Sequence, residues 1–191
     1  MKKVTIRKGC HRPFRFPVFY RGFGSLFNDA CIEYTIRFDE DCRYTLTPHS
    51  DQGDWNKMFG FCYGLLGIHR DSARFGYSYD DASGLIKIGA IVYSTNSQDE
   101  TSIRRQFLFN VRIGEEHKYS ISSKWIGSHL EIEFRFDDYI VFKTHLFLET
   151  YTCDMPLMRF GCGLYFGGNQ RAPQKITIYE DYETHYNNNQ N

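Results

Sequence analysis

Hydrophobic and polar residues alternate most strictly from His129 to Asp137. Leu130, Ile132, Phe134 and Phe136 fall in one phase, and Glu131, Glu133, Arg135 and Asp137 in the other. Side chains of a strand point to opposite faces in turn, so this pattern predicts a strand with one face on a core and one in water. Asp137-Asp138 supplies turn chemistry, and Tyr139 to Phe142 resumes a β-branched and aromatic run, which predicts a hairpin. The same alternation places Ile32, Tyr34, Ile36 and Phe38 on one face, then Phe75, Tyr77 and Tyr79, then Ile86, Ile88, Ala90 and Val92. Asp80 to Gly84 reads as the hairpin turn between the last two runs.

Further short strands are expected over Val4 to Lys8, Asn56 to Tyr63, Ile103 to Val111, Lys118 to Ser123, Phe160 to Phe166 and Ile176 to Tyr182, with loops between. Gly167-Gly168 reads as a tight connection with positive φ. No amphipathic helix longer than a turn or two and no internal repeat is visible, so the expected fold is all-β. It is a jelly-roll β-sandwich of two antiparallel sheets. Residues 1–24 read as an N-terminal strand and an aromatic, Pro-rich arm packed on the domain, 25–182 as the sandwich, and 183–191 as a polar tail.

Charge and cysteine content narrow the function. The chain has 23 Lys and Arg against 23 Asp and Glu, so no overall field draws it to nucleic acid or to an anionic membrane, and neither is expected as a partner. The stretch Met1 to Lys8 lacks the apolar run of a signal peptide and no later stretch is long enough to span a bilayer. Synthesis in the cytoplasm is therefore expected, and the six cysteines are expected to be free thiols.

From Ile103 onward the order of elements resembles the concanavalin A-like lectin and glucanase superfamily, including laminin-G-like domains. The likeness lies in Glu116 to Ile121, the paired strands Leu130 to Phe136 and Tyr139 to Lys143, the stretch Phe160 to Phe166, and a closing strand Lys175 to Tyr179. Asp54 to Phe61, Asp71 to Tyr77 and Tyr165 to Asn169 are also similar to uncharacterised proteins of Bacteroidetes bacteria and their phages, which implies a virion context.

Retaining glucanases of that superfamily set carboxylates along one strand face as nucleophile and acid. Glu131, Glu133 and Asp137 share a face here, but the central aspartate of the pattern is missing and Arg135 lies between the acids, so a solvated strand face is the expectation. The fold would admit calcium on acidic turns such as Asp39-Glu40-Asp41, Asp51 with Asp54, Asp80-Asp81 or Asp137-Asp138, none with diagnostic spacing, and no cofactor is expected. The seven histidines are scattered and assemble no catalytic set.

Trp55, Tyr63, Tyr77, Tyr79 and Trp125 offer rings for stacking on sugars, with Tyr63, Trp125 and the Asn169 loop as the glycan-binding candidates. Trp125 is expected to be the most loop-like of them. Phe14, Phe16 and Phe19 in the arm are the candidates for contact with other protein subunits, including copies of the same chain. The leading expectation is a non-catalytic structural or attachment component of a larger assembly, a phage virion above all. The alternatives are a lectin-like module for a cell-surface glycan and, third, a glycoside hydrolase or lyase.

Overall fold

The computed structural model describes residues 1–13, 23–25, 29–47, 51–63, 71–95, 101–126, 129–146, 158–168 and 170–186. They form twelve strands: β1 (Lys2–Ile6), β2 (Phe23–Ser25), β3 (Ala30–Phe38), β4 (Asn56–Tyr63), β5 (Ser72–Asp80), β6 (Leu85–Thr95), β7 (Thr101–Val111), β8 (Glu116–Ile126), β9 (His129–Phe136), β10 (Tyr139–Leu146), β11 (Met158–Cys162) and β12 (Ile176–Tyr186). One short 3-10 turn, Glu40–Cys42, follows β3, with the Asp39 side chain accepting from the Glu40 amide. The first sheet has the order β1-β12-β3-β8-β9-β10 and the second β2-β11-β4-β5-β6-β7, and every pairing is antiparallel. Neighbours in space that are distant in sequence, such as β12 beside β3 and β11 beside β4, give the jelly-roll crossing.

The alternating pattern decides which face of each strand is buried. Leu130, Ile132 and Phe134 of β9 are inaccessible to water, as are Ile86 and Ile88 of β6 across the interior. Aromatic rings fill the gap between the sheets: Phe75 meets Tyr119 at 5.3 Å and Phe134 at 5.1 Å, both edge-on, while Tyr34 stacks on Phe59 at 3.7 Å. Such pairs add about 0.5–1.5 kcal/mol each beyond the area they bury.

The β9–β10 hairpin has the expected turn. Asp137 and Asp138 both take positive φ (45° and 71°), the geometry of the tight turns that match strand twist. Asp137 is held there because its carboxylate accepts from the Lys118 amide at 2.9 Å and bonds His117 Nδ1 at 2.9 Å. The acidic face of β9 carries ion pairs, with Glu133 held by Arg135 and by Lys143, the latter at 2.7 Å.

The other acidic turns are likewise engaged by protein donors. Asp41 accepts from the Thr177 amide and pairs with Lys175, and Asp80 bonds Ser83 and Lys87. No group of three or more His, Cys, Asp and Glu suited to a metal ion occurs among the described residues.

Several boundaries differ from the sequence reading. The first strand begins at Lys2 and ends at Ile6, and β2 lies within the second sheet next to β11. β12 continues through Tyr186, paired with Ala30, into the segment read as a polar tail. Its partner β3 is long enough to supply backbone groups that far, and a ladder satisfies backbone whatever the side chains.

Candidate functional site

The outward side chains of the second sheet are arranged in three rows, fixed by strand register. Core residues Ala73, Phe75, Tyr77, Ile88, Ala90 and Val92 alternate with outward Ser72, Arg74, Gly76, Gly89, Ile91 and Tyr93. Register then aligns Cys162, Gly60, Arg74, Ile91 and Arg105 across five strands. A second row runs Tyr165, Lys57, Gly76, Gly89, Phe107, with Lys57 and Tyr165 exchanging two backbone hydrogen bonds of 2.8 Å. The third contains Cys62, Ser72, Tyr93 and Ile103.

Glycines shape this face. A Cβ on Gly89 would lie 2.8 Å from both the Trp55 ring and the Gln106 carbonyl, and one on Gly76 would meet the Ile91 side chain at 2.5 Å. The paired glycines therefore leave a floor on which the indole of Trp55 rests. Asn56, next in sequence, anchors that segment from within: its amide donates to the Tyr44 hydroxyl at 2.6 Å and its oxygen accepts from the Gly167 amide at 2.8 Å. Of the Gly167-Gly168 pair expected at positive φ, Gly168 takes +69° and Gly167 does not.

Four cations converge on the floor. Arg74 is 2% exposed, and its Nη2 donates to the carbonyls of Met58 and Gly163. Its Nε and Nη1 are buried and have no hydrogen-bond partner among the described residues. Lys57 is 9% exposed, with its Nζ 5.3 Å from the Tyr93 ring centre and 5.2 Å from that of Tyr165. Burial first, and then the charges of Arg74, Arg105 and Arg12, push the Lys57 amine down to about 8. Arg12 lies 5.4 Å over the other ring partner, Tyr165.

The N-terminal arm completes the wall. His11 stacks on Tyr165 at 5.3 Å and 11°, and its Nδ1 is 2.9 Å from the Phe166 carbonyl. The Phe166 amide donates to the His11 carbonyl at 2.8 Å, the Gly9 amide donates to the Ala172 carbonyl at 2.8 Å, and the Ala172 amide donates to the Cys10 carbonyl at 3.1 Å. Like charges buried side by side are costly, because charge repulsion and desolvation act together. An anion placed between them offsets both.

The sequence candidates do not meet at this place. Tyr63 is 2% exposed and belongs to the core: with Phe59 and Phe61 it occupies the inward phase of β4, so its ring is unavailable for stacking on a sugar. Tyr77 and Tyr79 are core residues too. Trp125 lies within β8 of the other sheet, partly buried against the core, and not in a loop. Asn169, Phe14, Phe16 and Phe19 lie outside the described residues. Of the aromatic candidates, Trp55 is the one that reaches the cationic face.

The residues missed were Arg74, Lys57, Arg105, Tyr93 and Tyr165. Their signal was present in the outward phase: glycines in three successive strands, Gly60, Gly76 and Gly89, beside one arginine.

No protein-family model matches the chain, and no curated protein sequence does. Solved structures do match. The alginate lyase Aly36B aligns over 96% of this chain and 79% of its own, with TM-score 0.63 and 15% identity. The alginate lyase from Klebsiella pneumoniae aligns over 84% of this chain and 60% of its own, with TM-score 0.56 and 10% identity. The CBM2 module of an evolved Dit protein of Lactobacillus casei BL23 phage J-1 aligns over 97% and 68%, at TM-score 0.38 and 14% identity, a likeness too loose to carry an argument. At these identities the matches define a fold: the chain is a concanavalin A-like jelly roll of two antiparallel sheets.

Proposed function

We propose that the protein is a carbohydrate-binding module without catalytic activity, that its site is the outer face of the second sheet, and that its ligand is an acidic glycan bearing carboxylates. The observation that carries this reading is the buried guanidinium of Arg74, whose Nε and Nη1 have no partner among the described residues, in the same row as Arg105 and next to Lys57. Nε and Nη1 lie on different edges of the guanidinium, so each would donate singly to a carboxylate oxygen in a charge-assisted hydrogen bond. Trp55 and Tyr165, both half-buried, supply flat apolar surface for the faces of sugar rings beside those cations. The ligands in the names of the two alginate lyases agree in chemical class, and this adds support of a lesser kind.

The reading is of binding; His11, Tyr93 and Tyr165 are groups able to exchange protons, and the assay below separates binding from cleavage. It also suits the attachment role expected from the sequence, since an attachment component of a virion or other assembly needs a face for a cell-surface polymer. Isothermal titration with oligouronates and with neutral oligosaccharides of equal length is the test. Binding of the acidic series alone, weakened by salt as screening requires, supports it. Preference for the neutral series would overturn it, and growth of the ultraviolet absorbance of an unsaturated uronate would overturn its non-catalytic part.

A further inference from the structure

We infer that Arg105 and Phe107 of the edge strand β7 form a second sugar subsite, so that one acidic chain lies across the strands of the second sheet, from Arg74 to β7. The inference rests on reading this face as an acidic-glycan site. It adds the direction of the chain and the shortest ligand that fills the site.

Among the described strands, β7 has a neighbour on one side only, β6. Register puts Tyr93 opposite Ile103, Ile91 opposite Arg105 and Gly89 opposite Phe107. The β6 members of these pairs belong to the outward phase, so Ile103, Arg105 and Phe107 share the outer face with them. Ile103 is 47% exposed and Phe107 48%, and Arg105 between them is exposed as well. Edge strands are ordinarily shielded by charge. Here the charge stands between two large apolar side chains open to water. One exposed apolar side chain needs no explanation, whereas two flanking a cation at the rim of a polar site mark a contact surface.

Trp55 joins this strip to the rest of the face. The benzene half of its indole lies over Gly89, where a Cβ would come within 2.8 Å of it, and the residue across the ladder from Gly89 is Phe107. The two aromatic side chains therefore stand side by side over strands about 4.8 Å apart. Together they give a continuous apolar strip for the C–H faces of successive sugars.

The cations are spaced to match. Arg105 shares a row with Arg74 two strands away, roughly 10 Å at the usual strand separation. The charge of Arg105 is among those that lower the Lys57 amine, which sets its guanidinium on the site side of the strand. The adjacent Arg104 is turned the other way, with its Nη1 3.3 Å from the Thr144 hydroxyl of β10. In an extended acidic chain whose sugars alternate in facing, every second carboxylate points to the same side. Two arginines at this separation suit carboxylates two sugars apart, and Ile91, which lies between them in the row, presents no charge to the intervening sugar. The shortest ligand to engage both arginines is then a trisaccharide.

The test is titration calorimetry of the full chain with the disaccharide, trisaccharide and tetrasaccharide of one oligouronate series, at fixed pH and salt. Wild-type affinity should rise roughly tenfold from disaccharide to tetrasaccharide as the second subsite fills. Phe107→Ala should bind the tetrasaccharide about as weakly as the disaccharide, and Phe107→Trp should keep the rise. Arg105→Gln should lose most of the rise together with part of the salt dependence. Phe107 is exposed, so an unchanged melting temperature separates lost binding from lost fold. No gain with length in the wild type, or an undiminished gain in Phe107→Ala or Arg105→Gln, overturns the second subsite while the acidic-glycan reading stands. Binding of no acidic oligosaccharide by any of these proteins overturns that reading and the subsite with it.

Discussion

Raising the pH from about 7 to about 9 should weaken oligouronate binding about tenfold, and Lys57→Arg should abolish most of that loss. The Lys57 amine is held down to about 8 by burial and by Arg74, Arg105 and Arg12, so it is charged at neutral pH and mostly neutral a unit above that value. A bound carboxylate favours the ammonium. Binding above pH 8 therefore takes up a proton, and the affinity falls by up to a factor of ten, about 1.4 kcal/mol, for each further unit.

Arginine keeps its charge throughout this range, so the variant's profile should be nearly flat. A Cys162→Ser background removes a thiol that is also held below its ordinary value beside Arg74. Titration calorimetry in buffers of different ionisation heat measures affinity and proton uptake together. A flat wild-type profile, or an equal fall in Lys57→Arg, would refute the assignment of Lys57 to the ligand's carboxylate.

Other consequences can be read by simpler assays. Gly89→Ala should displace the Trp55 indole, visible as a shift of tryptophan emission in a Trp125→Phe background, and weaken oligosaccharide binding, because the added Cβ would lie 2.8 Å from that ring. Gly60→Ala should cost about 3 kcal/mol, since its Cβ would collide with the Ala73 backbone carbonyl across the strand pair, and should lower the melting temperature by roughly 6–12 °C. Phe134→Ala, at the centre of the ring cluster, should cost about 3–5 kcal/mol in urea unfolding. Glu131→Gln should leave both glycan affinity and fold intact, since its face belongs to the first sheet, away from the cationic rows. A loss of binding on that change would return the acidic strand face to consideration.

The fold was legible because alternation is a direct record of burial. Leu130, Ile132 and Phe134, or Ile86 and Ile88, have a single physical reason to recur at every second position, and the turn at Asp137-Asp138 is marked by residues that tolerate positive φ. The site was much less legible. Its members come from β4, β5, β6, β7, the Tyr165 segment and the N-terminal arm, and register alone brings them into rows. Tyr63 and Lys57 illustrate the difficulty, because an aromatic ring in a strand looks like a ligand platform and a lysine looks like solvent. The bulge between Lys57 and Gly60 and the inward phase of Tyr63 reverse those impressions. What sequence did contain, and what a reading centred on hydrophobic phases passes over, was the composition of the opposite phase around Arg74.

The most direct test of the account is titration of an oligouronate into the wild-type protein and into Arg74→Met. The wild type should bind, with an affinity that falls as salt is raised, and the variant should remain folded by circular dichroism while losing affinity by roughly a hundredfold, as expected when a desolvated charge pair loses one partner. Equal affinity in the two proteins, or no binding of acidic oligosaccharides by the wild type, would contradict it.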